Sequence, residues 1–277
     1  MLDQIAKAKL PPPLHVSGRV QARFALGHRG SRIADLFESG GFRVKFPHKT
    51  DETCEAILVN TGGGMTGGDA LDVHIRVDAG ASALVASQSA EKIYRSSGST
   101  AQICTNIELS EKSRFCWVPQ ETILFSGARV ARELCVELPD SATFLAAESV
   151  VFGRSASGES LGDGYFSDRW RIRRGGRLVF AENTRLEGEL SALLARTAIA
   201  NGARATATMV LMCPEAEERL EPARDALADD AATCALSAWN GMLVARLLSR
   251  DAQSLRAALG RLISHLRGAP MPRVWQC

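Results

Sequence analysis

Three groups of residues in this 277-residue chain have types and spacings that chemistry can use. The stretch NTGGGMTGGD, residues 60–69, packs five glycines into ten positions and ends on Asp69, which is the composition of a loop that wraps a phosphate. Gln88, Ser89, Glu91 and Lys92 in SQSAEKIYRSSG, with Gln120 and Glu121 in WVPQETILFSGAR, interrupt strand-like apolar stretches. Two such carboxylates are the raw material of acid–base hydrolysis. Asp72 and His74, two apart on one strand face, offer a small oxygen and nitrogen ligand set for a transition metal.

Each group also has a plainer reading. A Walker loop needs GxxxxGK before Ser or Thr, with a helix starting at the lysine. No GK dipeptide occurs, and Asp69 leads into an alternating strand, LDVHIRVD, which removes the dinucleotide fingerprint as well. Gly62, Gly63, Gly64, Gly67 and Gly68 are therefore expected to supply positive φ and close backbone approach where two strands meet. A buried polar group must find a partner, so the simplest role for Lys92 is an ion pair with Glu91 or Glu121. The Asp72–His74 pair reads most simply as exposed strand surface. The Ser-rich SSGST reads as a turn.

Composition narrows the class. A hydrophobic content of 45% with 23% charged residues is that of a globular chain. Net charge is only +2, although the first fifty residues hold nine Lys or Arg against Asp3, Asp35 and Glu38; the plainer reading is a solvated basic end, the functional one an anionic docking face. His15, His28, His48, His74 and His265 are far apart, and seven cysteines are scattered without a CxxC pair. Free thiols packed as small hydrophobes point to a reducing compartment. MLDQIAKAKLPPP has no apolar core of a signal peptide, and no uncharged stretch approaches bilayer length. The expectation is a cytoplasmic protein with no membrane and no nucleic-acid partner.

The elements that must position these residues are mostly strands. Between about residues 16 and 212 the dominant period is two. CEAILVN suits a strand covered on both faces. DRWRIR and RLVFAENTRL flank RRGG as a hairpin, with Arg169, Arg171 and Arg173 on one face and Trp170 and Ile172 on the other. PEAEERLEPARDALADD predicts a helix near 215–230 despite Pro222. SAWNGMLVARLLS is mixed, with strand as one reading. DAQSLRAALGRLISHLRG predicts a helix over 251–267, capped by Asp251 and ended by Gly268. The tail PMPRVWQC reads as extended, with Trp275 exposed for docking. The expected organisation is an N-terminal extension, 1–17, and one β-rich domain, 18–277.

Read together and in order, NTGGGMTGGD, SQSAEKIYRS, WVPQETILFSGARV, FGRSASGE, RDAQSLRAALGRL and PRVWQC, with GRVQARFALGHRGSRIADLFESGGFRVKFP near the start, resemble the UreD (UreH) family of urease accessory proteins. Gly64 and Thr66 are small departures in the first loop. The resemblance implies a mainly β fold of layered, helically wound sheets with a few helices, mostly C-terminal. It also implies a non-enzymatic nickel chaperone that works with apo-urease subunits and other accessory proteins, one of them a GTPase. Nickel would be transient cargo, with no cofactor permanently bound, moving through an internal hydrated passage. Asp69, Glu91, Gln120, Glu121 and Glu148 are the candidates for that passage, since each lies in a family-like segment or interrupts a strand interior. Two alternatives remain open: an assembly scaffold that never touches the metal, and a β hydrolase using Glu91 and Glu121.

Overall fold

The structure, a computed structural model, describes residues 15–47, 52–153, 161–228 and 230–276. Most of the N-terminal extension and most of FGRSASGE lie outside the described residues.

The period of two becomes two facing sheets, and the chain winds between them. β4 (Cys54–Asn60), β6 (Ser82–Ser87), β9 (Arg114–Trp117) and β12 (Thr143–Phe152) lie parallel in the second sheet. Between them in sequence come β5 (Ala70–Val77), β8 (Ala101–Leu109), β11 (Arg129–Leu138) and β13 (Asp163–Arg174), parallel in the first sheet. Parallel neighbours need a crossover between them; here each crossover is supplied by a strand of the opposite sheet. The expected helically wound layers are thus observed. Short β7 (Glu91–Ile93) and β10 (Thr122–Leu124) pair with each other in parallel, and β10 pairs with β12.

Antiparallel strands finish the sheets. β1 (Ser17–Gly27) and β2 (Gly30–Ser39) form a hairpin beside β5, and β3 (Phe42–Lys45) lies on β4. The predicted RRGG hairpin is β13 with β14 (Arg177–Glu189). After a short helix α1 (Leu190–Ala195), unanticipated from sequence, β15 (Ala205–Met212), β16 (Thr233–Trp239) and β17 (Met242–Ser249) extend the second sheet from β12. The mixed segment SAWNGMLVARLLS is therefore strand, turned at Asn240–Gly241 where both φ angles are positive (51° and 68°), the geometry that an Asn-Gly pair favours.

The two sheets bury different numbers of faces. Even-numbered residues of β1 and odd-numbered ones of β5 point into the inter-sheet core, among them Val20, Phe24, Val73 and Ile75. The outer face of the first sheet carries charge rows such as Arg76–Glu108 at 2.9 Å and Arg169–Glu133 at 3.0 Å, the expected solvated arginine face. Exposed pairs of this kind contribute little each. The second sheet is covered on both sides, because Leu145, Met209 and Leu247 pack outward against Leu255, Leu259 and Leu262 of α3 (Ala252–Arg267). β4 meets this expectation only at Ala56 and Ile57, since its other residues are half-buried.

α3 starts and stops as predicted: Asp251 Oδ2 accepts from Ser254 N at 2.7 Å, and Gly268 is left-handed at φ 64°. The helix expected over 215–230 is shorter, α2 (Leu220–Asp225). Pro222 is its third residue, and the missing N–H and the ring clash confine a proline to the first turn, so the helix cannot extend toward Pro214.

The tail expectation is overturned. Trp275 sits in a 3-10 turn, Arg273–Trp275, only 7% exposed, and its Nε1 donates to Val118 O at 2.9 Å. The glycine loop crosses from β4 in one sheet to β5 in the other, as a meeting of strands requires. A Cβ at Gly67 would lie 1.9 Å from Ser96 Oγ and 2.2 Å from Ser99 O, so only glycine allows that approach.

Candidate functional site

Strand alternation assigns each inner position to the dry core, and a cluster of residues breaks that rule. On β12 the even positions Phe144, Ala146, Val150 and Phe152 face inward; Glu148 shares their phase. Arg132 shares the phase of Val130 and Leu134 on β11, and Asp168 that of Phe166 and Trp170 on β13. Glu182 and Arg246 do the same on β14 and β17, beside Phe180 and Val244. These five charged groups line a cavity of about 270 Å³ between the sheets at the last turns of the winding.

Its floor is a buried ion cluster. Arg132 Nη2 meets Asp168 Oδ2 at 2.5 Å and Glu148 Oε2 at 3.3 Å, and Nη1 donates to Thr122 Oγ1 at 2.9 Å. Trp117 Nε1 donates to Glu148 Oε1 at 2.7 Å. Arg132 Nε and Asp168 Oδ1 are buried with no hydrogen-bond partner among the described residues. Burial pushes the Glu148 carboxyl above its ordinary range, with Arg132 pulling against it. Burial disfavours the Arg132 charge, but Asp168 and Glu148 more than offset it and hold its pKa up. At the cavity's rim Glu182 accepts from Thr208 Oγ1 at 3.1 Å and from Arg246 Nη2 at 2.5 Å.

From this floor a line of polar groups continues along the inner face. Thr122, which holds Arg132, is paired in register with Glu91, so the two side chains leave the same face of β10 and β7. Glu91 Oε1 accepts from Asn60 Nδ2 at 2.9 Å. Asn60 in turn lines a second cavity of about 300 Å³ with His15, Met65 and Asp69, beside the glycine loop.

The sequence candidates therefore separate. Glu148 and Glu91 lie on this line, and Asp69 lies at its far cavity. Asp69 is buried, with Oδ1 accepting from Val16 N at 2.8 Å and Oδ2 from Thr66 N at 2.7 Å. Gln120 and Glu121 are engaged elsewhere: Arg256 of α3 meets Glu121 at 2.6 Å and Gln120 Oε1 at 3.1 Å, while Gln120 Nε2 donates to Val274 O at 2.8 Å. The ion pair expected for Lys92 does not form with either carboxylate, because Lys92 is exposed while Glu121 is taken by Arg256. Glu91 and Glu121 lie on opposite phases of their paired strands, so their carboxylates diverge rather than flank a cleft. Asp72 and His74 touch at 3.0 Å on the exposed outer face, as the plainer reading had it. Among the described residues no group of three or more His, Cys, Asp or Glu is arranged to hold a metal ion.

Sequence reasoning missed Arg132, Asp168, Glu182 and Arg246. The signal was present: each is a charged residue on the apolar phase of its strand.

Glu91 carries a thermodynamic signature. Burial raises its pKa from 4.5 to about 7, against the opposing hydrogen bonds of Asn60 and the Lys92 backbone. The native state then holds a proton that the unfolded chain releases, so stability falls as pH rises from about 4.5 to about 7 and is level above. Glu91→Gln removes that fall. Urea denaturation at pH 8 is expected to find the variant more stable than the parent by about 1–3 kcal/mol, and at pH 4.5 the two are expected to coincide.

A family model described as UreD urease accessory protein matches residues 16–276. The chain belongs to the UreD family. It is 47% identical over 264 residues to urease accessory protein UreD 1 of Methylobacterium radiotolerans, covering 94% of this chain and 91% of that one. It is 44% identical over 245 residues to UreD of Azorhizobium caulinodans, covering 88% and 90%. UreD 2 of Methylorubrum populi is 48% identical over 250 residues, covering 89% and 84%. The match to UreD thus covers the lining of the inter-sheet cavity and, His15 apart, that of the pocket beside the glycine loop. Among the described residues of this UreD chain no helix is long and apolar enough to cross a membrane.

Proposed function

We propose that this chain is a metallochaperone of urease maturation that shelters nickel on its way into the apo-urease active site. It works in the cytoplasm in a complex with apo-urease and other accessory proteins, one of them a GTPase. The observation that carries the reading is the line of polar groups, Glu182, Asp168, Glu148, Thr122, Glu91 and Asn60, running from the inter-sheet cavity along an otherwise apolar inner face to the pocket beside the glycine loop.

The donor set suits a conveyor. Nickel accepts oxygen and nitrogen ligands, and the line offers carboxylate, hydroxyl and amide oxygens one or two at a time. A nanomolar site holds an ion by about 12 kcal/mol and a millimolar one by about 4 kcal/mol. Cargo that must be handed on calls for the weaker kind. The chain has no GK dipeptide and so no Walker loop, which leaves GTP hydrolysis to a partner and makes this chain the bridge.

Neither alternative has an observation of this kind. A hydrolase needs its two carboxylates in one cleft, and Glu91 and Glu121 diverge. A pure scaffold has no use for buried charges at inner strand positions, which are costly to desolvate. The test is to produce apo-urease with its accessory set, with and without this chain, and measure bound nickel and urease activity. Nickel content and activity are expected to drop together without it; equal nickel in both preparations refutes the reading.

A further inference from the structure

Glu148 and Asp168, from opposite sheets, share a single guanidinium, that of Arg132, whose side chain is 7% exposed. Arg132 reaches both carboxylates through one nitrogen, Nη2, while its Nε has no partner among the described residues. Asp168 Oδ1 likewise has no hydrogen-bond partner among the described residues and belongs to a residue that lines the cavity. A buried carboxylate oxygen that receives no hydrogen bond, beside a second carboxyl group that shares its only arginine, is a place for a cation. The oxygens that would complete its ligation are the ones Arg132 holds.

We propose that Arg132 is an exchangeable counter-ion: a divalent cation displaces it from Glu148 and Asp168, and Arg132 retakes them when the ion leaves. The displaced guanidinium has somewhere to stay. Its Nη1 is hydrogen-bonded to Thr122 at 2.9 Å, and it lies over the Phe166 ring at 5.4 Å from the centroid, a cation–π seat. Arginine suits the task because it keeps its charge at any physiological pH, so it always competes for the carboxylates. The residue thereby makes the pocket a resting place rather than a trap. The choice of nickel as the cation rests on the proposed function; the exchange itself does not.

The test uses the purified full chain and nickel(II) chloride in equilibrium dialysis. Arg132→Gln removes the competitor, and the variant is expected to bind one nickel at least tenfold more tightly than the parent. Adding Asp168→Asn to it is expected to abolish the gain. Affinity within twofold of the parent, or a gain that survives Asp168→Asn, overturns the proposal. If circular dichroism shows Arg132→Gln unfolded with and without nickel, Arg132→Lys takes its place. A lysine keeps the charge but has no second nitrogen to hold Thr122 while it meets the carboxylates, so at least threefold tighter binding is expected, and unchanged binding overturns the proposal equally. When the variant is produced with the urease system, nickel is expected to rise on this chain and fall on urease. Tighter binding in vitro together with normal urease loading leaves the exchange standing and removes the transport reading. Normal affinity with impaired loading does the reverse.

Discussion

Trp275→Ala is expected to destabilise the fold by about 3–5 kcal/mol, the range for deleting a buried tryptophan side chain. The residue is the third from the C-terminus and was expected to hang free, yet it locks the tail to the second sheet. Its indole N–H donates to Val118 O at 2.9 Å, and Arg256 lies 4.7 Å over its ring. The same guanidinium donates to Trp275 O at 3.0 Å and pairs with Glu121 at 2.6 Å. Alanine at 275 would leave Val118 O without its donor and Arg256 without a ring to cover. For domains whose whole stability is about 5–15 kcal/mol, that loss turns a folded chain into one that populates unfolded forms. The midpoint of guanidinium denaturation measures it. Trp275→Phe keeps the ring and loses the hydrogen bond, so a smaller loss of about 1–2 kcal/mol is expected. Equal midpoints for all three proteins would contradict the packing role.

The second large effect is expected at Glu148. Glu148→Ala removes one of the two carboxylates that compensate Arg132 and the only acceptor seen for Trp117 Nε1 among the described residues. Arg132 keeps Asp168 as its counter-ion, so the cost, about 1–3 kcal/mol, comes from the buried Trp117 N–H left without its acceptor. Glu148→Gln is the informative companion, because its amide oxygen still accepts from Trp117. It is expected to fold, at a cost of about 1–2 kcal/mol. With Glu148→Gln, the nickel content of co-produced urease is expected to fall several-fold while the accessory complex still assembles. Full nickel content with the glutamine variant would take Glu148 off the route.

Much of the fold was legible because burial follows a local rule in strands. The alternation in LDVHIRVD, the hairpin over RRGG and the ends of α3 each depend on neighbours in sequence. What failed was non-local. Trp275 is buried by Val118, and Gln120 and Glu121 are claimed by Arg256, more than a hundred residues away. No window of the sequence carries those contacts. α2 was overdrawn because alanine and glutamate favour helix throughout 215–230, while the ring of Pro222 sets the start.

The site was half legible. Glu148 and Glu91 stood out as charges in apolar stretches. Arg132 in VARELCVEL and Asp168 in FSDRWRIR passed as members of solvated faces, though counting phase from Leu134 and Trp170 turns both inward. Two neighbouring charges on a strand look alike in composition; only phase tells which one is buried.

The central claim is that an ion travels through the inter-sheet cavity, and filling the cavity tests it most directly. Thr184 and Thr206 are half-buried wall residues on β14 and β15, where phenylalanine suits a strand. The measurement is nickel per urease active site, by elemental analysis, in cells producing Thr184→Phe/Thr206→Phe, after co-purification has shown the complex intact. The account predicts nickel reduced at least tenfold with assembly unchanged. Normal nickel in an intact complex, with the cavity filled, would contradict it.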